Sequence, residues 1–256
     1  DVIYIIRKFQ PDVIINRFDA RTPGTTHGHH TASAQLSLEA FDKANDASIF
    51  PNQLSLVQTW QPKRVFYNTS WWFYGGKENF DKADKSNLIP LQIGVYYSSL
   101  GKSNQEIAAL SRSKHQSQGF GTTGTRGEEL EYLEFIKGNP LSDKTNLFEG
   151  IDTSWNHIKG GKAIGDLLAK VEKNFDFKNP ASSISDLVKA YLMIQNLEET
   201  HWKSIKTEEI KKCVAACSGL FLEAVANESE ATPGSKIKVK CEIINRSNIQ
   251  MQLAAV

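Results

Sequence analysis

Apolar positions in this chain follow two rhythms, and the rhythm changes part-way along. Val2, Ile5, Ile6 and Phe9 share one face of a helical repeat with Arg7 and Lys8 assigned outward, so residues 1–10 read as the end of an amphipathic helix. Pro11 stops it, and Val13-Ile14-Ile15 is a short, wholly apolar run of the kind found in buried parallel strands. A loop over 19–28, containing Thr22-Pro23-Gly24, leads into a helix predicted over 30–44 with His30, Ala34, Leu38 and Phe41 facing inward. Strands are predicted over 64–68 and 91–97, and strand–helix–strand alternation predicts an α/β layered domain. Ser103 and Glu106 have the spacing of a capping box, opening a helix that carries Ile107, Leu110 and His115. A glycine-rich turn over 119–124 ends that helix, and 128–137 reads as one more short segment, strand or helix.

From about Asn139 the pattern turns helical. Ile164, Leu167, Leu168, Val171 and Phe175 mark one amphipathic helix, Leu187, Tyr191, Ile194 and Leu197 a second, and Ile210, Val214, Cys217 and Phe221 a third. After a polar linker over 227–233, Ile237, Val239, Cys241 and Ile243 alternate with charged neighbours, the period-two signature of a half-buried strand. A lone strand is not a stable unit, so it is expected to open a β-sandwich that is truncated here. The expected organisation is an α/β domain over 1–136, a helical region over 137–228 and the start of the sandwich over 229–256. Apolar patterning already running at Val2, and alternation only begun before Val256, predict a segment of a longer protein whose upstream remainder is its natural partner.

The charge balance removes some function classes. Thirty basic and 29 acidic residues give a net charge of +1, which offers no electrostatic footprint for nucleic acid or an anionic membrane. The longest apolar run, around Cys213 to Leu222, falls well short of the roughly 20 residues a spanning helix needs. The three cysteines allow one disulfide, with buried free thiols the simpler expectation.

Candidate chemistry concentrates in Thr26-His27-Gly28-His29-His30-Thr31-Ala32-Ser33, which holds three of the six histidines. Neutral imidazole is the commonest metal ligand and titrates near neutral pH. His27 and His30, three apart at a helix start, share a face, whereas His29 is expected to point elsewhere. The helix start also aims backbone N–H groups and positive dipole toward that face, favouring an anionic intermediate. Arg17 and Arg21 flank the strand exit, where they suit either substrate hydroxyls and phosphate or a solvated loop. His115, Ser117 and Gln118 suit a pocket floor or a helix cap, and Trp71-Trp72-Phe73-Tyr74 suits a core for half its members or a sugar-binding rim. No Gly-x-Ser-x-Gly elbow and no glycine-rich phosphate loop occur in the sequence.

The strand Pro11-Asp12-Val13-Ile14-Ile15, the loop after it, and His27-Gly28-His29-His30-Thr31-Ala32-Ser33 opening a helix resemble the LmbE-like (PIG-L) family of zinc-dependent N-acetylglucosaminyl deacetylases. His115-Gln116-Ser117-Gln118 is similar to a His-x-Ser-Gln helix end common in that family. The resemblance covers residues 1–136. It implies a partial Rossmann-like three-layer domain, a zinc cofactor and acylated amino-sugar substrates. His30 would be the metal ligand and His27 the electrophile or general acid, with Arg17, Arg21, His115 and Gln118 at the substrate. The family usually reads His-Pro-Asp-His here, so Gly28-His29 is a departure. Its Ala-His-Pro-Asp-Asp-Glu motif, which supplies the other ligands and the general base, has no counterpart. The expectation is therefore a segment inactive by itself; the alternative is a non-catalytic carbohydrate-binding or interaction protein on a degenerate deacetylase fold. Resemblance to large multidomain members also implies an extracytoplasmic location.

Overall fold

In the computed structural model, which describes residues 1–22 and 24–254, Pro11 and the apolar run after it set the first boundary. Pro23, and the end of the alternating pattern at Ala255 and Val256, lie outside the described residues. Helix α1 (Val2–Phe9) ends in a left-handed Gln10, and β1 (Val13–Asn16) leads through a loop to α2 (Gly28–Lys43). Next come β2 (Arg64–Thr69), α3 (Lys77–Lys82), β3 (Leu88–Gln92), the short pair β4 (Tyr96–Tyr97) and β5 (Lys102–Ser103), α4 (Asn104–Ser113) and β6 (Leu130–Gly138). Then follow α5 (Lys162–Lys173), α6 (Ile184–Gln195), α7 (Thr200–Cys217), β7 (Phe221–Ala226) and β8 (Val239–Ile244). The architecture is mixed α/β, with seven α-helices among the described residues. No helix among them is long and apolar enough to cross a membrane.

The main sheet runs β1-β2-β6-β3. β1 and β2 are parallel, with α2 as the connecting helix, while β6 is antiparallel to both its neighbours. Alternation along β1 sends its residues to two apolar clusters. Val13 packs with Phe66, Ile89 and Leu133, whereas Ile14 joins Ile3, Ile6, Ala40 and Ala44 from α1 and the end of α2. Ile15 is exposed, because β1 is an edge strand, and the expected burial of the whole run fails there.

Arg7 corrects the assignment of that side chain to solvent: it is fully buried. Its guanidinium donates to the carbonyls of Ala44 (3.0 Å), Asp46 (2.7 Å) and Ile49 (2.9 Å), and to Gln53 Oε1 (3.1 Å), clasping the segment after α2. Arg64 does the same for the segment after β6, donating to Asn139 O, Leu147 O and Glu149 O. That segment, with Leu141 and Leu147, packs against the Phe66 cluster. The first compact unit accordingly runs Asp1–Ile151 rather than stopping at 136.

The strand predicted over 91–97 starts earlier and breaks. Leu88 and Ile89 are buried in the sheet, and the break falls at Gly94, where a Cβ would lie 1.9 Å from Gly127 O. The capping box forms: Ser103 Oγ accepts from Glu106 N and Glu106 Oε2 accepts from Ser103 N. The ambiguous segment 128–137 is strand, with Ile136 as an extra residue where the register shifts opposite Val65 and Phe66.

The second unit, Asp152–Val256, is built on α5, α6 and α7 around Ile164, Leu187, Ala190, Ile194 and Ile210. The third helix ends at Cys217 rather than continuing to Phe221. Ser218 Oγ turns back to Val214 O and Ala215 O, and Gly219 takes a positive φ of 57°. Phe221 then opens β7, which pairs with β8 as an antiparallel hairpin. The strand expected to stand as the first of a sandwich thus has a partner, and all six of its residues are exposed rather than half-buried. Cys213 and Cys241 are exposed and all three cysteines are free, which corrects the expectation of buried thiols.

Candidate functional site

The exits of the two parallel strands form the site. In open α/β sheets, ligands bind outside the carboxyl ends of the strands; here the loop after β1 and the turn Trp71–Tyr74 after β2 occupy that position. His27 is the N-cap of α2, in extended conformation, its carbonyl accepting from His30 N at 2.9 Å. His29 and His30 follow in the first turn. The tight turn brings all three imidazoles together: ring centroids are 5.3 Å apart for His27–His30, 5.5 Å for His27–His29 and 4.1 Å for His29–His30. His29, expected to point away, is a full member of the cluster.

One nitrogen from each ring lies within 4.8 Å of the others. A tetrahedral zinc with Zn–N of about 2.0–2.1 Å sets its ligand nitrogens about 3.3 Å apart, so closure takes side-chain shifts of about 1.5 Å or less. Three imidazoles match one of the donor sets of catalytic zinc sites. Partial desolvation, and then the neighbouring imidazoles of His29 and His27, lower the His30 pKa below the ordinary histidine value. That keeps the ring in its ligand form. The positive end of the α2 dipole opposes a dication by about 0.3–1 kcal/mol, small beside three nitrogen ligands. The group of three contains no carboxylate.

Phe18 links this cluster to a neighbouring cavity. It stacks on His30 at 3.8 Å between centroids and 10° between planes, and meets Phe73 edge-on at 6.3 Å. The cavity, about 310 Å³, has Trp72, Phe73 and Tyr74 as its aromatic wall, and Thr22 and Thr25 at its lip. None of the four residues of the aromatic turn is buried, so the expectation that half of them fill the core fails. The rest of the lining comes from Asp19, Arg21, Tyr67, Thr69 and Glu134. Arg21 bridges two carboxylates, donating to Asp19 Oδ1 (2.8 Å) and Oδ2 (3.1 Å) and to Glu134 Oε1 (2.9 Å) and Oε2 (2.7 Å). Those bonds, Glu134's first, push the Arg21 pKa further up. Burial works against the Asp19 carboxylate, but the bonds from the Arg21 side chain and backbone N–H hold its pKa below the usual value. Burial raises the Tyr67 pKa; burial and then the charge of Glu134 raise that of Tyr74. The Thr69 hydroxyl beside the two phenols works in the opposite direction on both.

The chain matches no protein-family model, no curated protein and no solved structure.

Of the residues singled out from sequence, His27 and His30 meet in the cluster and Arg21 lines the cavity. Arg17 sits beside it, exposed, donating to Asn68 Oδ1, 3.6 Å from Glu131 Oε2 and over the Phe73 ring. His115 lies beyond the end of α4 rather than on it. It is exposed, pairs with Ser117 Oγ at 3.1 Å, and is absent from the cavity lining, as is the exposed Gln118. Sequence reading missed Asp19, Thr69 and Glu134. The first had a local signal, an Asp two residues before an Arg, as in an Asx turn. Glu134 had none, since it reaches Arg21 across 113 residues.

Proposed function

We propose that residues 1–151 carry the metal- and sugar-binding part of a zinc-dependent amidohydrolase that removes the acyl group from N-acetylglucosamine-type sugars. The observation that supports it is the gathering of His27, His29 and His30 within 4.8 Å beside a cavity with an aromatic wall. The accompanying fold reading, a partial Rossmann-like three-layer domain of the LmbE-like kind, draws on the parallel β1–α2–β2 unit.

A bound zinc lowers the pKa of water from 15.7 to about 7, worth roughly 12 kcal/mol in acidity. His30, its ring fixed against Phe18, is the ligand of this chain whose orientation is best defined. His27, at the helix N-cap and more exposed, has the freedom to approach the scissile amide. There, through the ring nitrogen left free when the other is a ligand, it would donate a hydrogen bond to the oxyanion formed as water adds to the amide carbonyl, after which the C–N bond breaks to leave a carboxylate and an amine. The α2 N-terminus adds partial positive charge at the same place. Since no carboxylate among the described residues joins the group of three to act as base, acetate release by this chain alone is expected at background.

Zinc titration of the full chain tests the reading, with acetate release from N-acetylglucosamine followed in parallel. One zinc per chain, lost in His30→Ala, supports it. No zinc uptake leaves the alternative, a non-catalytic carbohydrate-binding protein, which the exposed face of Trp72 favours.

A further inference from the structure

One face of the β7–β8 hairpin carries no polar side chain. In the antiparallel register Leu222 stands opposite Ile243, Ala224 opposite Cys241 and Ala226 opposite Val239. Directly opposed residues share a face, so these six form one apolar surface built from both strands. All six are exposed, Leu222 keeping 63% of its surface in solvent. The other face differs. There Glu223 lies opposite Glu242, Val225 lies opposite Lys240, and the Arg246 guanidinium sits over the Phe221 ring, 5.5 Å from its centroid. That face suits water; the first does not. A contiguous exposed apolar face marks an interaction surface, and a two-stranded hairpin is marginal until such a face is covered.

The shape of the face bears on what covers it. It is tall at one end, where Leu222 and Ile243 pair, and lower at its centre and other end, where Ala224, Cys241, Ala226 and Val239 stand. A two-fold axis through the Ala224–Cys241 pair, running across the strands, turns a second copy end over end. Leu222 then faces the second copy's Ala226, and Ile243 faces its Val239, so large side chains meet small ones. Cys241, exposed and free, falls beside its own mate at the axis. No charged group on the face selects a partner of different chemistry, whereas a two-fold contact brings the same surface patch to itself.

We infer that this face is a self-association surface whose occupant is a second copy of the chain. The two hairpins pack face to face as a four-stranded sandwich, with their inner faces interdigitated. The inference concerns the unit Asp152–Val256 alone and needs neither metal nor substrate. Six residues of strand span about 20 Å and two strands about 10 Å. That footprint is smaller than a standard protein interface, so the dimer is weak, with a Kd of about 10–100 μM.

The test is sedimentation equilibrium of the full chain in reducing buffer with EDTA, from about tenfold below to about tenfold above that Kd. The mass is expected to rise from 28.6 kDa toward twice that value. Leu222→Lys places a charge on the face and should weaken association by about tenfold or more. Ile243→Lys gives the same readout from the other strand if Leu222→Lys disturbs the hairpin, and Val225→Glu, on the opposite face beside Lys240, should leave the Kd unchanged. In a Cys213→Ser, Cys217→Ser background a short bismaleimide should join two copies through Cys241, and Leu222→Lys should suppress that product. A chain monomeric over the whole range, a mass climbing past the dimer, or association that survives both lysine variants overturns the inference.

Discussion

Arg7 takes a full positive charge into the interior and is met there by carbonyl oxygens and one amide oxygen rather than a carboxylate. Six residues after it, the chain enters β1, so this one side chain ties α1 to the segment that follows α2. Arg7→Met keeps the apolar stem but leaves several buried acceptors without donors, and should cost about 2–4 kcal/mol in urea unfolding. A loss below about 0.5 kcal/mol would show that water satisfies those carbonyls instead. Helical periodicity places Arg7 next to Ile6 at the edge of the apolar face, and hydropathy then assigns it to solvent. What reverses that assignment is the geometry of residues 44–53, which no local pattern contains. The three histidines are the opposite case. Their shared turn is local, so the pairing of His27 and His30 was legible; His29 was misplaced because His27, the extended N-cap, stands outside the helix and is not held to helical spacing.

At the level of elements, the strands that build the site differ in how plainly they announce themselves. β1 and β2 are short apolar runs with clear stops, and both were visible. β6 was ambiguous because Leu130, Leu133, Phe135 and Ile136 fit either period; its bulge at Ile136 breaks the alternation that would have marked a strand. With β6 unresolved, Glu134 could not be assigned to the same sheet face as Tyr67, its partner across the pair. The end of β6 depends on Gly138, which takes a φ of 99° where a Cβ would stand 2.1 Å from Lys63 O. Gly138→Ala should therefore destabilise the first unit by well over the roughly 1 kcal/mol of a simple left-handed penalty. Denaturant midpoints measure it, and an unchanged midpoint would mean the Lys63 backbone yields freely. The helix end at Gly219 shows the same limit: Phe221 continued the apolar stripe of α7, and only the glycine two residues earlier signalled the stop.

At the scale of the molecule, the candidate site belongs wholly to the unit Asp1–Ile151, and the helical unit Asp152–Val256 has its own core. Ile194 is 1% exposed in that core, so Ile194→Ala should lower the stability of the second unit by about 2–5 kcal/mol. It should leave zinc affinity at His27, His29 and His30 unchanged within about twofold, since each unit has its own core. A parallel loss of zinc binding would mean that the two units do not act separately. The measurement that bears most directly on the whole account is zinc stoichiometry of the purified chain beside the triple variant His27→Ala, His29→Ala, His30→Ala. The account predicts one zinc per chain and none in the variant. A chain that takes up no zinc, or a triple variant that takes up as much as the parent, would contradict it.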